Sequence, residues 1–264
     1  MDITSRDNRL VKEVRRLLAD AKYRREAGLF AVEGARLCED AALSGVDIRY
    51  ALYTARAAAQ YPRQLDAVRK SAAALYEIPD ELARFIGDTA APQGIFSVCG
   101  ALDNCRPYDT MDKAERLLAL EDIQDPANLG AVIRTAEALG LDGLLLSAGC
   151  CDVYNPKVLR GSMGGVFRLK LYTAGRFDEA VPTLQAAGRR CLACVPDAAA
   201  LPVQKAGLHP EDICFNGNEG NGLRRETNEA CGESITIPMR GRAESLNAAM
   251  AAGLVVWEQL RQSE

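Results

Sequence analysis

From residue 116 onwards, strand-like runs of three to six residues, most of them apolar, take turns with helix-length stretches of mixed polarity. Residues 116–121, 143–147, 168–171, 191–195, 212–216 and 235–237 read as strands, and a long final helix is predicted over 245–262. Unbroken apolar runs mark strands covered on both faces, and helices between them supply the crossovers that parallel pairing requires. The pattern therefore predicts an α/β domain with a mainly parallel sheet. In such sheets ligands sit in the loops beyond the strands' carboxyl ends. Those loops, at 122–128, 217–222 and 238–245, carry the candidate chemistry.

The first hundred residues alternate differently. A helix is predicted over 8–27, with Leu10, Val11, Val14, Leu17, Leu18 and Ala21 on one side, ended by Gly28. Strands follow at 29–32, 48–53, 75–78 and 94–99, and helices at 35–43, 64–71 and 80–86, which together make a compact α/β unit. Residues 103–113 are polar and unperiodic. They read as a linker between a domain over 1–102 and another over 114–264.

Composition closes off several classes. No apolar run reaches about 18 residues, so no membrane span is expected. Residues 1–6 lack the apolar core of a signal peptide and run into a helix bearing acids, which predicts a cytoplasmic protein. Of nine cysteines only Cys191 and Cys194 have ligand spacing, and no second pair completes a four-ligand site. The thiols are read as small hydrophobes, with no metal expected. The single histidine, His209, stands beside Pro210 in a predicted surface loop, which leaves acid–base work to carboxylates, Arg, Lys or Tyr. The net charge of −4 conceals an asymmetry: residues 1–25 hold eight basic groups against four acids. Such a helix is either a solvated face or a phosphate-binding one.

In the first loop, Pro126 and Asn128 start a helix, with Asn128 at its capping end, where side chain and helix terminus can meet an anion. Arg134 lies six residues on, off that face. Taken alone, the pattern reads first as a capped helix with a surface arginine. The second loop, Asn216-Gly217-Asn218-Glu219-Gly220-Asn221-Gly222, permits close ligand approach but lacks the Gly-Lys-Ser/Thr ending of a P-loop. Its acid would repel a triphosphate. The third, Ile237-Pro238-Met239-Arg240-Gly241-Arg242-Ala243-Glu244-Ser245-Leu246-Asn247, leads to a helix that Ser245 can cap. The small residues Ala248, Ala249, Ala251, Ala252 and Gly253 suit close packing within the chain or between subunits.

Taken in order and spacing, Asn-x-Gly-x-x-x-Arg-Thr-Ala, Gly-x-Glu-Gly-x-Gly-Leu and Ile-Pro-Met-x-Gly-x-x-x-Ser-Leu-Asn resemble the SpoU (TrmH-like) family of RNA ribose methyltransferases, within the SPOUT superfamily. Residues 155–164 look like the family's substrate-side segment, and Phe30-Ala31-Val32-Glu33-Gly34 with Arg36 is similar to the RNA-binding domain attached to ribosomal-RNA members. The resemblance implies a small α/β domain of ribosomal-protein type followed by a parallel-sheet domain with a deep trefoil knot. It implies S-adenosylmethionine as cofactor, contacted by Gly217, Ile237 and Leu246 with Met239 nearby, and a homodimer whose active site is completed across the interface. Arg134 would act on the ribose 2′-hydroxyl, either as a base with the RNA phosphate as relay or as an electrostatic clamp, oriented with Asn128, Glu219, Ser245 and Asn247. Arg9, Lys12, Arg15, Arg16, Arg36, Lys157 and Arg160 would contact RNA. Large-subunit ribosomal RNA is the expected substrate, with transfer RNA, or a catalytically silent RNA-binding protein, as alternatives.

Overall fold

The computed structural model describes residues 2–262, which divide into two compact units, residues 2–103 with 152–167 and residues 104–151 with 168–262. In chain order the first unit holds α1 (Arg9–Ala19), α2 (Ala21–Ala27), β1 (Leu29–Glu33), α3 (Ala35–Leu43), β2 (Ile48–Tyr53), α4 (Ala55–Gln60), α5 (Pro62–Ser71), β3 (Leu75–Glu77), α6 (Asp80–Ile86) and β4 (Ile95–Gly100). Its sheet runs β1-β4-β2-β3, antiparallel except for the parallel pair β2 and β3. Val11, Val14, Leu17 and Leu18 pack with Leu52, Leu82, Phe96 and Val98 in its core.

The helix predicted over 8–27 is two helices. Asp20, extended at φ −119° and ψ 104°, ends α1 and caps α2 by accepting from the Tyr23 amide at 3.0 Å. The helix α4 was not anticipated; Thr54 caps it by accepting from Ala57.

The second unit begins with β5 (Cys105–Pro107), so part of the segment read as a linker pairs in the sheet. Arg189 explains the order of this polar stretch. Its buried guanidinium donates to the carbonyls of Asp112, Lys113, Glu115 and Glu211, anchoring residues that have no apolar pattern to announce them. Then come β6 (Leu117–Leu120), α7 (Pro126–Ala138) and β7 (Gly143–Ser147); α8 (Pro156–Ser162), which belongs to the first unit; and β8 (Lys170–Ala174), α9 (Phe177–Ala186), β9 (Cys191–Cys194), β10 (Leu201–Pro202), β11 (Ile213–Asn216), α10 (Arg225–Cys231), β12 (Glu233–Thr236) and α11 (Ala248–Arg261). Among the described residues the sheet has eight strands in the order β10-β12-β9-β11-β6-β7-β8-β5, every pairing parallel, as the apolar runs predict. The later strand β12 enters between β9 and β10, which are consecutive in the chain.

Candidate active site

The carboxyl end of β6 organises the site. Glu121 accepts from the Arg224 amide at 2.7 Å and the Thr227 hydroxyl at 2.6 Å. Asp122 sits in the left-handed region at φ 54°, unusual for a residue with a side chain. Several bonds hold it there. Its amide donates to Ser147 Oγ at 2.8 Å, the same hydroxyl donates back to Oδ1 at 2.7 Å, and Arg224 donates to Oδ2 at 2.9 and 2.5 Å. Its carbonyl accepts from Asn218 Nδ2 at 2.7 Å.

The glycine loop is thereby clasped at both ends. Within it, Asn218 and Gly222 exchange backbone hydrogen bonds of 3.0 Å, and Asn218 Oδ1 accepts from the Gly220 and Asn221 amides. Gly217 has to be glycine because a Cβ there would stand 2.0 Å from the Gly222 carbonyl carbon.

Glu219 then reaches across to α7. It accepts from the Gln124 and Asp125 amides, both at 3.2 Å, and from Asn128 Nδ2 at 2.9 Å. Asn128 Oδ1 in turn accepts from Asn247 Nδ2 at 2.9 Å. One hydrogen-bonded chain, Asn247 to Asn128 to Glu219, thus ties together the three loops singled out in the sequence. Partial burial disfavours the Glu219 charge, but the bonds from Asn128 and the two amides outweigh it and hold the carboxyl below the ordinary carboxylate range. A carboxylate so occupied is a poor proton acceptor.

Two assignments of caps are corrected. Asp125 caps α7 by accepting from Ala127, which frees Asn128 for Glu219. Asn247 caps α11 by accepting from Ala249 and Met250, and Ser245 lies before the helix in the cavity wall.

Two cavities meet here. The first, about 350 Å³, is lined by Gly217, Ile237, Met239 and Leu246, the four residues expected at the cofactor, together with Glu219 and Ser245. The second, about 710 Å³, has Asn128, Glu219, Ser245 and Asn247 in its wall and shares Asn218, Glu219, Ser245 and Leu246 with the first. Volumes of this order suit small-molecule ligands. Arg134 lines neither cavity. It stands exposed on α7, on a different face from the buried Asn128.

Sequence reading missed Asn216. It ends β11, is 4% exposed and lines the first cavity, and its Nδ2 has no partner among the described residues. An unpaired buried donor costs on the order of 1–3 kcal/mol unless a ligand accepts from it. The available signal was an asparagine closing an apolar strand just before a glycine loop. The first cavity fits an adenosine-bearing ligand: Ile235, Ile237, Leu246 and Val255 offer apolar walls, loop backbone borders it, and Asn216 supplies a waiting donor.

In the first unit, Arg9, Lys12, Arg15 and Arg16 lie on the exposed side of α1, opposite its buried valines and leucines. Lys12 pairs with Asp7 at 2.7 Å, and the Arg15 and Arg16 guanidiniums lie 4.3 and 4.0 Å from the Phe85 and Tyr23 ring centres. Arg24, another member of the basic run, is not at the surface: it donates to Asp152 and to the Leu17 carbonyl. Lys157 is exposed on α8, and Arg36 and Arg160 face one cavity of the first unit.

Residues 115–257 match the SpoU rRNA Methylase family, over more than half of the chain. The chain belongs to this family. Residues 8–97 match the MRM3-like substrate binding domain. The chain is 29% identical over 255 residues to the 23S rRNA (guanosine(2553)-2′-O)-methyltransferase of Bacillus subtilis, with 97% of each covered. It is 31% identical over 283 residues to the 23S rRNA (uridine(2479)-2′-O)-methyltransferase of Streptomyces viridochromogenes, covering 98% of this chain and 92% of that one. An AdoMet-bound rRNA methyltransferase from Sinorhizobium meliloti matches with a TM-score of 0.85 at 27% identity, covering 99% and 97% of the two chains. No helix among the described residues is long and apolar enough to cross a membrane.

Proposed function

We propose that this SpoU-family chain transfers a methyl group from S-adenosylmethionine to a ribose 2′-hydroxyl of large-subunit ribosomal RNA, acting in the cytoplasm as a homodimer. The observation that carries the reading is the seam between the two cavities, where the Asn247–Asn128–Glu219 chain fixes the wall they share. Gly217, Ile237, Met239 and Leu246 hold the cofactor in the first cavity, with Asn216 donating to it. The ribose enters the second.

The cofactor, when bound, supplies a methyl already activated on a sulfonium. What remains for the protein is positioning and the loss of one proton from the hydroxyl. Glu219, saturated with N–H donors, serves to hold the loops and not to take that proton. Arg134 is an exposed guanidinium, a fork of N–H donors with no acceptor lone pair. It acts as a clamp on the RNA phosphate and on the developing alkoxide, while the proton leaves to phosphate or solvent. Because Arg134 lines neither cavity of its own chain, it completes the site of the partner subunit. A stripe on α11 supports that pairing: Met250, Leu254 and Trp257, at helical spacing, are 62%, 43% and 57% exposed. On the first unit, Arg9, Lys12, Arg15, Arg16, Arg36, Lys157 and Arg160 contact RNA, the exposed cations of α1 and α8 supplying salt-dependent affinity that shape then refines.

The test is methyl transfer by the purified protein from labelled S-adenosylmethionine to deproteinised ribosomal RNA, followed by alkaline hydrolysis. A methylated 2′-oxygen cannot attack its phosphate, so label in an alkali-resistant dinucleotide supports the reading. Label in mononucleotides only, or none, refutes it.

A further inference from the structure

A second cavity system lies wholly in the first unit, away from the methyl-transfer loops. It measures about 360 Å³ and is bounded by the start of α3, the segment 89–93 and the end of α8. Its donors outnumber the acceptors that satisfy them. Arg160 Nη2 pairs with Asp88 at 2.8 Å, but Nη1 is buried without a partner. Gln93 Oε1 accepts from the Ala35 amide at 2.7 Å, while its Nε2 has no partner among the described residues, nor has the exposed Arg36 guanidinium. Glu33 offers nothing in return, since its oxygens accept from the Asp88 amide and the Thr89 hydroxyl.

The apolar wall has its own oddity. Met163 follows α8 in the left-handed conformation, φ 50°, a position glycine ordinarily takes. Its side chain is 38% exposed at the cavity. Strain of this kind persists where the fold enforces it, and it gathers at ligand sites.

Charge decides between phosphate and base. Arg160 is already paired with Asp88, and the Glu33 carboxylate stands in the same wall, so a phosphate would gain little here. A neutral ring with acceptor edges would instead meet the donors of Arg160, Gln93 and Arg36, with the Met163 side chain in the same wall. Unstacked RNA bases are bound in this way, stacked on guanidinium planes and hydrogen-bonded at their edges. We propose that this cavity takes one unstacked nucleobase of the RNA substrate. The inference rests on the RNA-methylating reading and adds to it a base contact remote from the reacting ribose.

The experiment uses the full chain and deproteinised large-subunit ribosomal RNA from cells lacking the gene. Short-wave ultraviolet crosslinking with peptide mapping is expected to place nucleotide adducts on residues 34–40 and 160–164. Arg36→Ala and Met163→Gly are each expected to raise the KM for RNA at least about tenfold, with the cofactor Kd unchanged and the melting temperature not lowered. Arg36→Lys, which keeps the charge but loses the plane, should not restore the lost affinity. The proposal is overturned if Arg36→Lys restores the wild-type KM, since the contact is then to phosphate. It is equally overturned if both other variants stay within twofold, or if adducts form only elsewhere. A wild type that neither binds nor methylates this RNA removes the functional reading along with the cavity.

Discussion

Replacing Gly217 by alanine probes how tightly the glycine loop is drawn around the first cavity. The added Cβ would stand 2.0 Å from the Gly222 carbonyl carbon, 2.1 Å from Leu223 N and 2.4 Å from Gly222 O, where ordinary contact begins at 3.4 Å. One arm of the loop must retreat by about 1.4 Å, and the obstacle is backbone rather than a side chain that could swing away. Resisting that retreat are the paired 3.0 Å bonds between Asn218 and Gly222, the 2.7 Å bond from Asn218 Nδ2 to the Asp122 carbonyl, and the Arg224 amide on Glu121. Overpacking of this sort costs about 1–3 kcal/mol. If the loop yields, the strain falls on the cofactor, whose Kd should rise about tenfold to a hundredfold. If the loop holds, the strain falls on the domain, whose Tm should drop by several degrees. Calorimetric titration with S-adenosylmethionine, alongside a thermal melt, reads both. Gly175→Ala, where a Cβ meets nothing within 4 Å, is the control. A Gly217→Ala protein matching that control in both readouts would refute the close-packed loop.

Other expectations follow from the same geometry. Arg134→Ala should abolish methyl transfer and leave cofactor Kd within about twofold; mixing it with a Glu219→Ala chain should recover about a quarter of wild-type activity if Arg134 serves the partner's site, and none if it serves its own. Asn128→Ala strands both Glu219 and Asn247, costing about 1–3 kcal/mol in a melt, and Asn128→Asp should be worse, because an acid would then face Glu219; equal stability of wild type and Asn128→Asp would contradict the hydrogen-bonded chain. Since the folded Glu219 lies below its ordinary value of 4.5, its contribution is complete above that pH and is lost as pH falls through the lowered value. Cofactor affinity should therefore hold level down to about pH 4.5 and decline below it, and Glu219→Gln should remove that dependence; an identical acid limb in the variant would count against the assignment. Cutting the chain after residue 102 should cost more than RNA docking, because it strips residues 152–167 of the Phe30 ring stacked 4.5 Å from Tyr154 and of the Arg24–Asp152 ion pair; a truncated protein melting at the wild-type temperature would show that these contacts contribute nothing.

The strands and most helices were legible because burial on both faces writes itself as an apolar run, as in Leu117–Leu120 and Gly143–Ser147. The three chemical loops were legible for a related reason, their positions after strand ends. Long-range polar bonds leave no such periodicity. Arg24 reads as one more surface cation, yet it is buried against Asp152, 128 residues away. Arg189 orders residues 112–115 through their carbonyls, which no side-chain pattern in that segment records. Caps failed for a narrower reason. Asp125, Asn128, Ser245 and Asn247 are all good capping types, and only the geometry decides that Asp125 and Asn247 cap while Asn128 turns to Glu219.

A map of 2′-O-methyl groups in ribosomal and transfer RNA, from cells with and without the gene, tests the proposed ribose methylation directly. Loss of a single 2′-O-methyl from large-subunit ribosomal RNA, restored by the wild-type gene and not by Arg134→Ala, is the predicted result. Identical maps from the two strains, or a loss confined to transfer RNA, would contradict it.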